Sequence, residues 1–260
     1  MGNDLVSIIM MSRNKAQFVE ESVRSVLAQT YTNWELLFVD DASKDGTITK
    51  LMELKDEIGK AIASKMRILQ TVNTSGTTRN RNTALKAAKG RWIAFLDAGD
   101  VWMPDKLEKQ IAFMEENGYA CSYTCYGLMD STSKDHGLVV SGKAHINHRD
   151  MLKCCWPAYM TVMYNADIVG KMCVRTCQHN DYALWLNVSD RNDFYLLPER
   201  LAMLRTKWNV LGRILLTDNA KWRYDAYRID EDLGPITSFF YTVRNGLYGL
   251  VKWFKYVKRA

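Results

Sequence analysis

Arg91-Trp92-Ile93-Ala94-Phe95-Leu96-Asp97-Ala98-Gly99-Asp100 is an apolar run of strand length that ends in two carboxylates separated by two small residues. A buried strand that delivers acidic side chains at its carboxyl end is suited to hold a divalent cation and a phosphorylated ligand. Open α/β sheets bind ligands at that edge, and hard cations prefer oxygen ligands.

Working outward, the same pattern recurs. Val6-Ser7-Ile8-Ile9-Met10-Met11 reads as a first buried strand, followed by the polar turn Ser12-Arg13-Asn14-Lys15. Apolar residues at helical spacing (Phe18, Val19, Val23, Val26, Leu27) predict a helix over 16–28, with Glu20 and Glu21 favourable to its dipole. Trp34-Glu35-Leu36-Leu37-Phe38-Val39 is a second strand, ended by Asp40-Asp41-Ala42-Ser43-Lys44-Asp45-Gly46-Thr47. A helix over 48–63, a third strand over 66–72 and a helix running to Ala88 with Gly90 as its C-cap lead back to the opening strand. This alternation predicts a mostly parallel sheet with right-handed crossovers. No Gly-x-Gly-x-x-Gly follows the first strand, which disfavours an ordinary dinucleotide fold. Carboxylates gathered at one sheet edge repel one another unless cations or donors lie between them, so the cluster points to a site. Asp40-Asp41 also has a plainer reading as a helix-capping device.

At 260 residues the chain is long enough for one large domain or two lobes on one sheet. With only 15 Gly and 4 Pro there is little room for long linkers. The 6 cysteines occur as Cys121-x-x-x-Cys125, Cys154-Cys155 and Cys173-x-x-x-Cys177, none with the usual zinc spacing. No early apolar run resembles a signal peptide, and none reaches the roughly 20 residues of a membrane span, so reduced cysteines and a cytoplasmic protein are expected.

The second half is less regular. A helix over 106–116, a strand over 120–126, a charged and Ser-rich loop, a strand over 161–164, a turn at Asn165-Ala166-Asp167 and a short helix from Asn180-Asp181 are predicted, with a helical tail beyond Leu211. The net charge of +6 is unevenly placed: no acidic residue follows Asp232, whereas Arg244, Lys252, Lys255, Lys258 and Arg259 do. Interleaved with Phe239, Phe240, Val243, Leu247, Leu250, Val251 and Phe254, these suit a helix on an anionic membrane face. They equally suit an amphipathic helix packed by its apolar stripe on its own domain with solvated lysines. The charge is too localised to imply a nucleic-acid partner.

Taken together, Val6 to Met11, Ser25-Val26-Leu27-Ala28-Gln29-Thr30, Trp34-Glu35-Leu36, Val39 to Thr47, Gly76 with Arg81-Asn82, Ala87 to Gly90, and Phe95-Leu96-Asp97 with Trp102 resemble family 2 glycosyltransferases. The resemblance is to the bacterial surface-polysaccharide branch, of teichuronic acid and O-antigen type. It implies a GT-A fold: a nucleotide-sugar-binding half (1–115) joined to an acceptor-binding half (116–211) around one sheet, here with a basic tail (212–260). The implied chemistry is inverting transfer of a sugar from a nucleoside diphosphate, most simply a UDP-sugar, to a saccharide or polyprenyl-linked acceptor. The tail over 236–260 would then bring the enzyme to the inner face of the plasma membrane. A nucleotidyltransferase and a non-catalytic partner of the same fold are the competing readings.

The resemblance also implies roles. Asp41, with Asp40 beside it, matches the carboxylate that accepts a hydrogen bond from uracil, and Met11 and Arg13 lie where the first loop lines the base. Arg81 matches the donor-side arginine, and Asp97 the first carboxylate of a motif that holds Mn²⁺ or Mg²⁺. That motif usually reads Asp-x-Asp-Asp, and its middle carboxylate is Gly99 here. Asp100 is then expected to swing in as the second metal ligand, because glycine frees the backbone to turn; otherwise Arg and Lys side chains must carry the diphosphate charge. The Glu-Asp pair that supplies the base reads Asn180-Asp181, making Asp181 the expected base, with helix capping as its plainer role. Trp102 is read either as a sugar platform or as core, and Trp185 as core.

Overall fold

The computed structural model describes residues 3–70, 77–173, 181–206 and 217–259. Four parallel strands form the first half of the sheet: β1 (Val6–Ser12), β2 (Trp34–Asp40), β3 (Met66–Gln70) and β4 (Trp92–Asp97), in the order β3-β2-β1-β4. All four therefore end at the same edge. Both faces of β1, β2 and β4 are buried, as their continuous apolar character requires, while β3 at the edge is half-buried. The pleat sorts them by parity: Ile9, Met11, Leu37, Val39, Ile93 and Phe95 enter one core, and Ile8, Met10, Leu36, Phe38, Ala94 and Leu96 the other.

The flanking helices lie close to expectation, over Val19–Leu27, Thr47–Glu57, Thr77–Ala87 and Lys106–Asn117. The helix predicted to run to residue 63 stops at Glu57, and a single turn over Lys60–Ala63 follows. Gly90 is not a C-cap: the helix ends at Ala87, and the glycine is there because β1 passes against it. A Cβ at Gly90 would lie 2.5 Å from Leu5 O and Ser7 N.

Beyond β4 the sheet continues antiparallel. β5 (Val101–Trp102) is a short edge piece, and β6 (Cys121–Met129) pairs with β7 (Asp135–Val140) in the stretch read from sequence as a loop. β8 (His145–Ile146) and β9 (Met163–Asn165) follow, and β9 joins β4 to β6. The sequence reading missed β10 (Phe194–Arg205), which runs parallel to β6 and pairs antiparallel with β5, Ala202 opposite Trp102. Its alternation is interrupted by Pro198 and Glu199, and its register shifts there, which hid the strand.

The tail folds back onto the sheet. A long helix over Pro235–Tyr256 runs into β11 (Val257–Arg259), which pairs with β7. Among the described residues no helix is long and apolar enough to cross a membrane, and Cys121, Cys125, Cys154, Cys155 and Cys173 are free thiols. Cys177 and Asn180 lie outside the described residues.

Candidate active site

The loops after β1 and β2 are knitted together at the sheet edge. Asn14 N donates to Ser43 Oγ at 2.8 Å, Lys44 N to Asn14 Oδ1 at 2.9 Å, Lys15 N to Thr47 Oγ1 at 2.9 Å and Ala16 N to Asp45 Oδ2 at 3.0 Å. Asn14 and Ala42 carry positive φ angles of 51° and 53°, a left-handed conformation uncommon outside glycine and one that recurs at ligand sites. Asp40 shapes this loop. It is fully buried, and its carboxylate accepts from Ser43 N at 2.9 Å and Ser43 Oγ at 2.5 Å, so it faces the turn where the sequence reading had it face the donor.

Asp41 is placed differently. Its Oδ1 accepts from Asn80 Nδ2 at 2.7 Å, while Oδ2, also buried, accepts no hydrogen bond among the described residues and faces the Arg13 guanidinium 3.6 Å away. An orphaned carboxylate oxygen at a sheet edge is costly unless a ligand supplies a donor. Arg13, half exposed, covers this oxygen without bonding to it and can move aside. Met11 is a core residue, 6 % exposed, because its place in β1 turns the side chain into the apolar layer; only its carbonyl meets the site, accepting Ala98 N–H at 2.9 Å.

Arg81, Asp97 and Asp181 converge. The Arg81 guanidinium, 2 % exposed, is ion-paired to Asp181 Oδ1 and lies over the Tyr159 ring, 4.7 Å from its centroid. Its Nε and Nη1 have no hydrogen-bond partner among the described residues. Burial and the carboxylates of Asp181 and Asp100 push the Asp97 carboxyl well above the usual range, while Arg81 and Lys15 oppose that shift. Asp181 opens the helix Asp181–Ser189, which carries Leu184, Trp185 and Leu186 into the core and so fixes the carboxylate at the rim. Its side chain is 36 % exposed.

The turn after β4 is held from two sides. Ser22 Oγ accepts Gly99 N–H at 2.8 Å and Ser25 Oγ accepts Trp102 N–H at 3.2 Å, both from the helix Val19–Leu27. From the other side, Arg205 at the end of β10 donates its N–H to Asp100 Oδ1 at 2.9 Å and its Nε–H to Gly99 O at 2.7 Å. Lys15, Phe18, Asp97, Gly99, Asp100 and Arg205 line the resulting cleft of about 460 Å³. Trp102 is core: it is 2 % exposed, and its indole N–H donates to Met160 O at 2.8 Å.

These residues do not fit a divalent cation held at Asp97 and Asp100. Asp100, expected to swing in, is 6 % exposed and tied to the Arg205 backbone. Gly99 has φ +135°, which L side chains rarely adopt, and a Cβ built there would face Lys15 Nζ at 3.6 Å. Among the described residues no three His, Cys, Asp or Glu side chains assemble as a ligand set. Asp97 would be left as the one carboxylate, beside the Arg81 and Lys15 cations, and the remaining oxygens would have to come from the diphosphate and water.

Lys15, Asn80, Tyr159 and Arg205 were not singled out from sequence. Lys15 and Asn80 adjoin recognised motifs and could have been suspected on position; Tyr159 and Arg205 reach the site only through the fold.

The sequence matches the model of Glycosyl transferase family 2 over residues 7–154. It is 35% identical over 229 residues to the UDP-Glc:alpha-D-GlcNAc-diphosphoundecaprenol beta-1,3-glucosyltransferase WfgD of Escherichia coli, covering 82% of this chain and 87% of that one. It is 36% identical over 187 residues to the putative teichuronic acid biosynthesis glycosyltransferase TuaG of Bacillus subtilis, covering 71% of each. The fold resembles the crystal structure of S. aureus TarS 1–349 in complex with UDP-GlcNAc, with a TM-score of 0.66 at 15% identity over 96% of this chain and 72% of that one. WfgD and TuaG are named as glycosyltransferases, which leaves the nucleotidyltransferase and non-catalytic readings without support. The strand-end loops, the buried Arg81 among carboxylates and the family match agree: the chain belongs to glycosyl transferase family 2 and is a glycosyltransferase of the GT-A fold.

Proposed function

We propose that this enzyme transfers a sugar, with inversion, from a UDP-sugar to a polyprenyl-diphosphate-linked saccharide during assembly of a cell-surface polysaccharide. The observation that carries the reading is the buried Asp41 Oδ2, which receives no hydrogen bond among the described residues and calls for an N–H donor such as that of a uracil ring. The relatives' printed donor and acceptor supply the class: WfgD is a UDP-Glc enzyme acting on a GlcNAc-diphosphoundecaprenol. In this reading residues 1–115 bind the donor, 116–211 shape the acceptor side and 212–260 form the tail.

Asn80 holds Asp41 Oδ1, so that Oδ2 receives the base. The diphosphate end extends toward the Lys15–Gly99 cleft, and Asp97 with Arg81 lies alongside the donor sugar. Asp181 is the base. Its Oδ1 is held by Arg81, and its other oxygen takes the proton of the acceptor hydroxyl as that oxygen attacks the anomeric carbon on the face opposite the diphosphate. Mn²⁺ or Mg²⁺, common among GT-A enzymes, would find Asp97 alone as a carboxylate ligand among the described residues here.

The tail supports a peripheral membrane location on the cytoplasmic side. At 100° per residue, Ile236, Phe239, Phe240, Val243, Leu247, Val251 and Phe254 fall within an arc of roughly 120°, and all are exposed. The opposite face holds the domain: Ser238 and Asn245 are buried, and Lys252 Nζ donates to Trp156 O at 2.5 Å and Cys155 O at 3.1 Å. This reverses the plain amphipathic expectation, because the polar side is packed and the apolar stripe faces outward. In flotation with anionic vesicles the full-length enzyme should rise with the lipid, and a Phe239→Ser/Phe240→Ser/Phe254→Ser variant should stay at the bottom. Equal recovery would remove the membrane contact.

A turnover assay across UDP-sugar donors with a polyprenyl-diphosphate GlcNAc acceptor tests the activity. Asp181→Asn should lower kcat by about 100- to 10,000-fold, and the product linkage should be inverted by NMR. Unchanged turnover in that variant would place the base elsewhere.

A further inference from the structure

Two cations line the cleft beside Gly99, and they are used differently. Arg205 is fully engaged: Nε bonds Gly99 O, Nη1 bonds Asp130 O at 2.8 Å and Ser133 Oγ at 3.0 Å, and Nη2 is paired with Glu21. Its guanidinium also lies over Phe18, 4.5 Å from the ring centroid. Lys15, by contrast, has its backbone fixed and its ammonium in no hydrogen bond or ion pair among the described residues, with Asp97 within reach of its charge. The neighbouring Asn14, in its left-handed conformation, is bonded to Ser43 and Lys44, which sets the direction of the Lys15 stem. That stem runs to Gly99, with Cδ at 3.9 Å and Nζ at 3.6 Å from the position a Cβ there would occupy.

The missing carboxylate and the extra ammonium are thus one feature. With an aspartate at 99, Lys15 would meet a carboxylate and be neutralised; with glycine, its charge faces the cleft. A dication at Asp97 would sit beside that ammonium and be repelled by it. We infer that the Lys15 ammonium replaces the divalent cation in this enzyme, binding the donor diphosphate directly and stabilising it as it departs, so that donor binding is metal-independent. The inference rests on the sugar-nucleotide reading above. In the transfer step the bond between the anomeric carbon and the β-phosphate oxygen breaks, and its electron pair stays on the diphosphate. The acceptor proton goes to Asp181. The Lys15 ammonium donates charge-assisted hydrogen bonds to the growing negative charge, as lysine does in other phosphate cradles.

The test is calorimetric titration of the full-length enzyme with UDP and with UMP, each in EDTA and in Mn²⁺. Electron paramagnetic resonance of Mn²⁺ in the presence of UDP follows any bound metal. The expected result is UDP affinity equal within about twofold in the two buffers and a Mn²⁺ spectrum with UDP that is the same with and without the enzyme. Lys15→Met should weaken UDP by about tenfold or more, the loss of one charge-assisted contact, and should weaken UMP less. Lys15→Arg should restore most of the affinity. UDP binding that requires Mn²⁺, with a Mn²⁺–UDP spectrum that the enzyme changes, overturns the inference and leaves the donor reading standing; so does Lys15→Met binding UDP as well as wild type. If neither UDP nor UMP binds the wild type in either buffer, the donor reading itself fails and the Lys15 role with it. The wild-type comparison needs no variant, so poor folding of Lys15→Met cannot mask the outcome.

Discussion

Replacing Arg81 by methionine keeps most of the buried volume and deletes the cation between Asp97 and Asp181. Breaking a buried ion pair costs about 3–5 kcal/mol. The Asp181 side chain is 36 % exposed, so water takes over part of its solvation and the figure falls to about 2 kcal/mol. Loss of the guanidinium over Tyr159 adds about 0.5–2 kcal/mol. The sum, about 2.5–4 kcal/mol, corresponds to a drop of about 5–16 °C in Tm for a chain of this size. Urea unfolding with an unchanged m-value is the direct assay. The deciding measurement is a double-mutant cycle. Asp181→Asn alone leaves Arg81 buried without its partner, so each single variant is penalised for an uncompensated group. Arg81→Met/Asp181→Asn removes both, and it should be more stable than the summed single losses by about 1–3 kcal/mol. Additivity within about 0.5 kcal/mol would refute the account of Arg81 as the buried counter-charge of Asp181.

Three further outcomes are expected. Gly99→Ala has room for its methyl group, with nothing nearer than Lys15 Nζ at 3.6 Å, yet φ +135° should make it less stable by about 1–3 kcal/mol in chemical denaturation; a neutral substitution would mean that the backbone relaxes freely. Asp97 has a carboxyl pKa raised by burial and by Asp181 and Asp100, so the folded state binds its proton more tightly and loses stability as pH rises above the ordinary 3.8. Asp97→Asn should therefore raise Tm at pH 8, leave it nearly unchanged at pH 3 and remove turnover; a lower Tm at pH 8 would contradict this. His148, whose Nε2 lies 3.1 Å from Glu231 Oε2, has its pKa raised chiefly by that bond against the opposing effect of burial. Its contribution is present below the ordinary 6.5 and is lost as pH rises through the folded value. The Tm gap between wild type and Glu231→Gln should accordingly be wide at pH 6 and narrow at pH 9, and a gap independent of pH would show that the imidazolium is not involved.

Much of the donor half was legible because its signals are local. Strands buried on both faces must be continuously apolar, so β1, β2 and β4 stand out, and polar residues at their ends fall at one edge once the strands are parallel. Gly90 was noticed for the wrong reason: its lack of a side chain serves the close passage of β1, a contact 83 residues away along the chain in the Gly90 N–Ser7 Oγ bond. β10 was missed because a kinked strand paired on several sides has no clean two-residue period. The tail was read correctly as amphipathic, but periodicity cannot say which face a helix presents to its domain; Lys252 and Asn245 decided that by reaching buried carbonyl and hydroxyl partners.

The sequence by itself determined the parallel α/β half, the sheet edge that carries the carboxylates, and the family, because strand burial and strand-end chemistry are written in consecutive residues. Only the tertiary structure decided which side chains act together there. Asp40 turns into its loop, Arg205 arrives from β10 to tie Asp100, and Arg81 pairs with Asp181 from 100 residues away. Lys15 comes to face Gly99 for the same reason. Charges separated by such lengths of chain interact only once folding removes the water between them, and no spacing along the sequence records that distance.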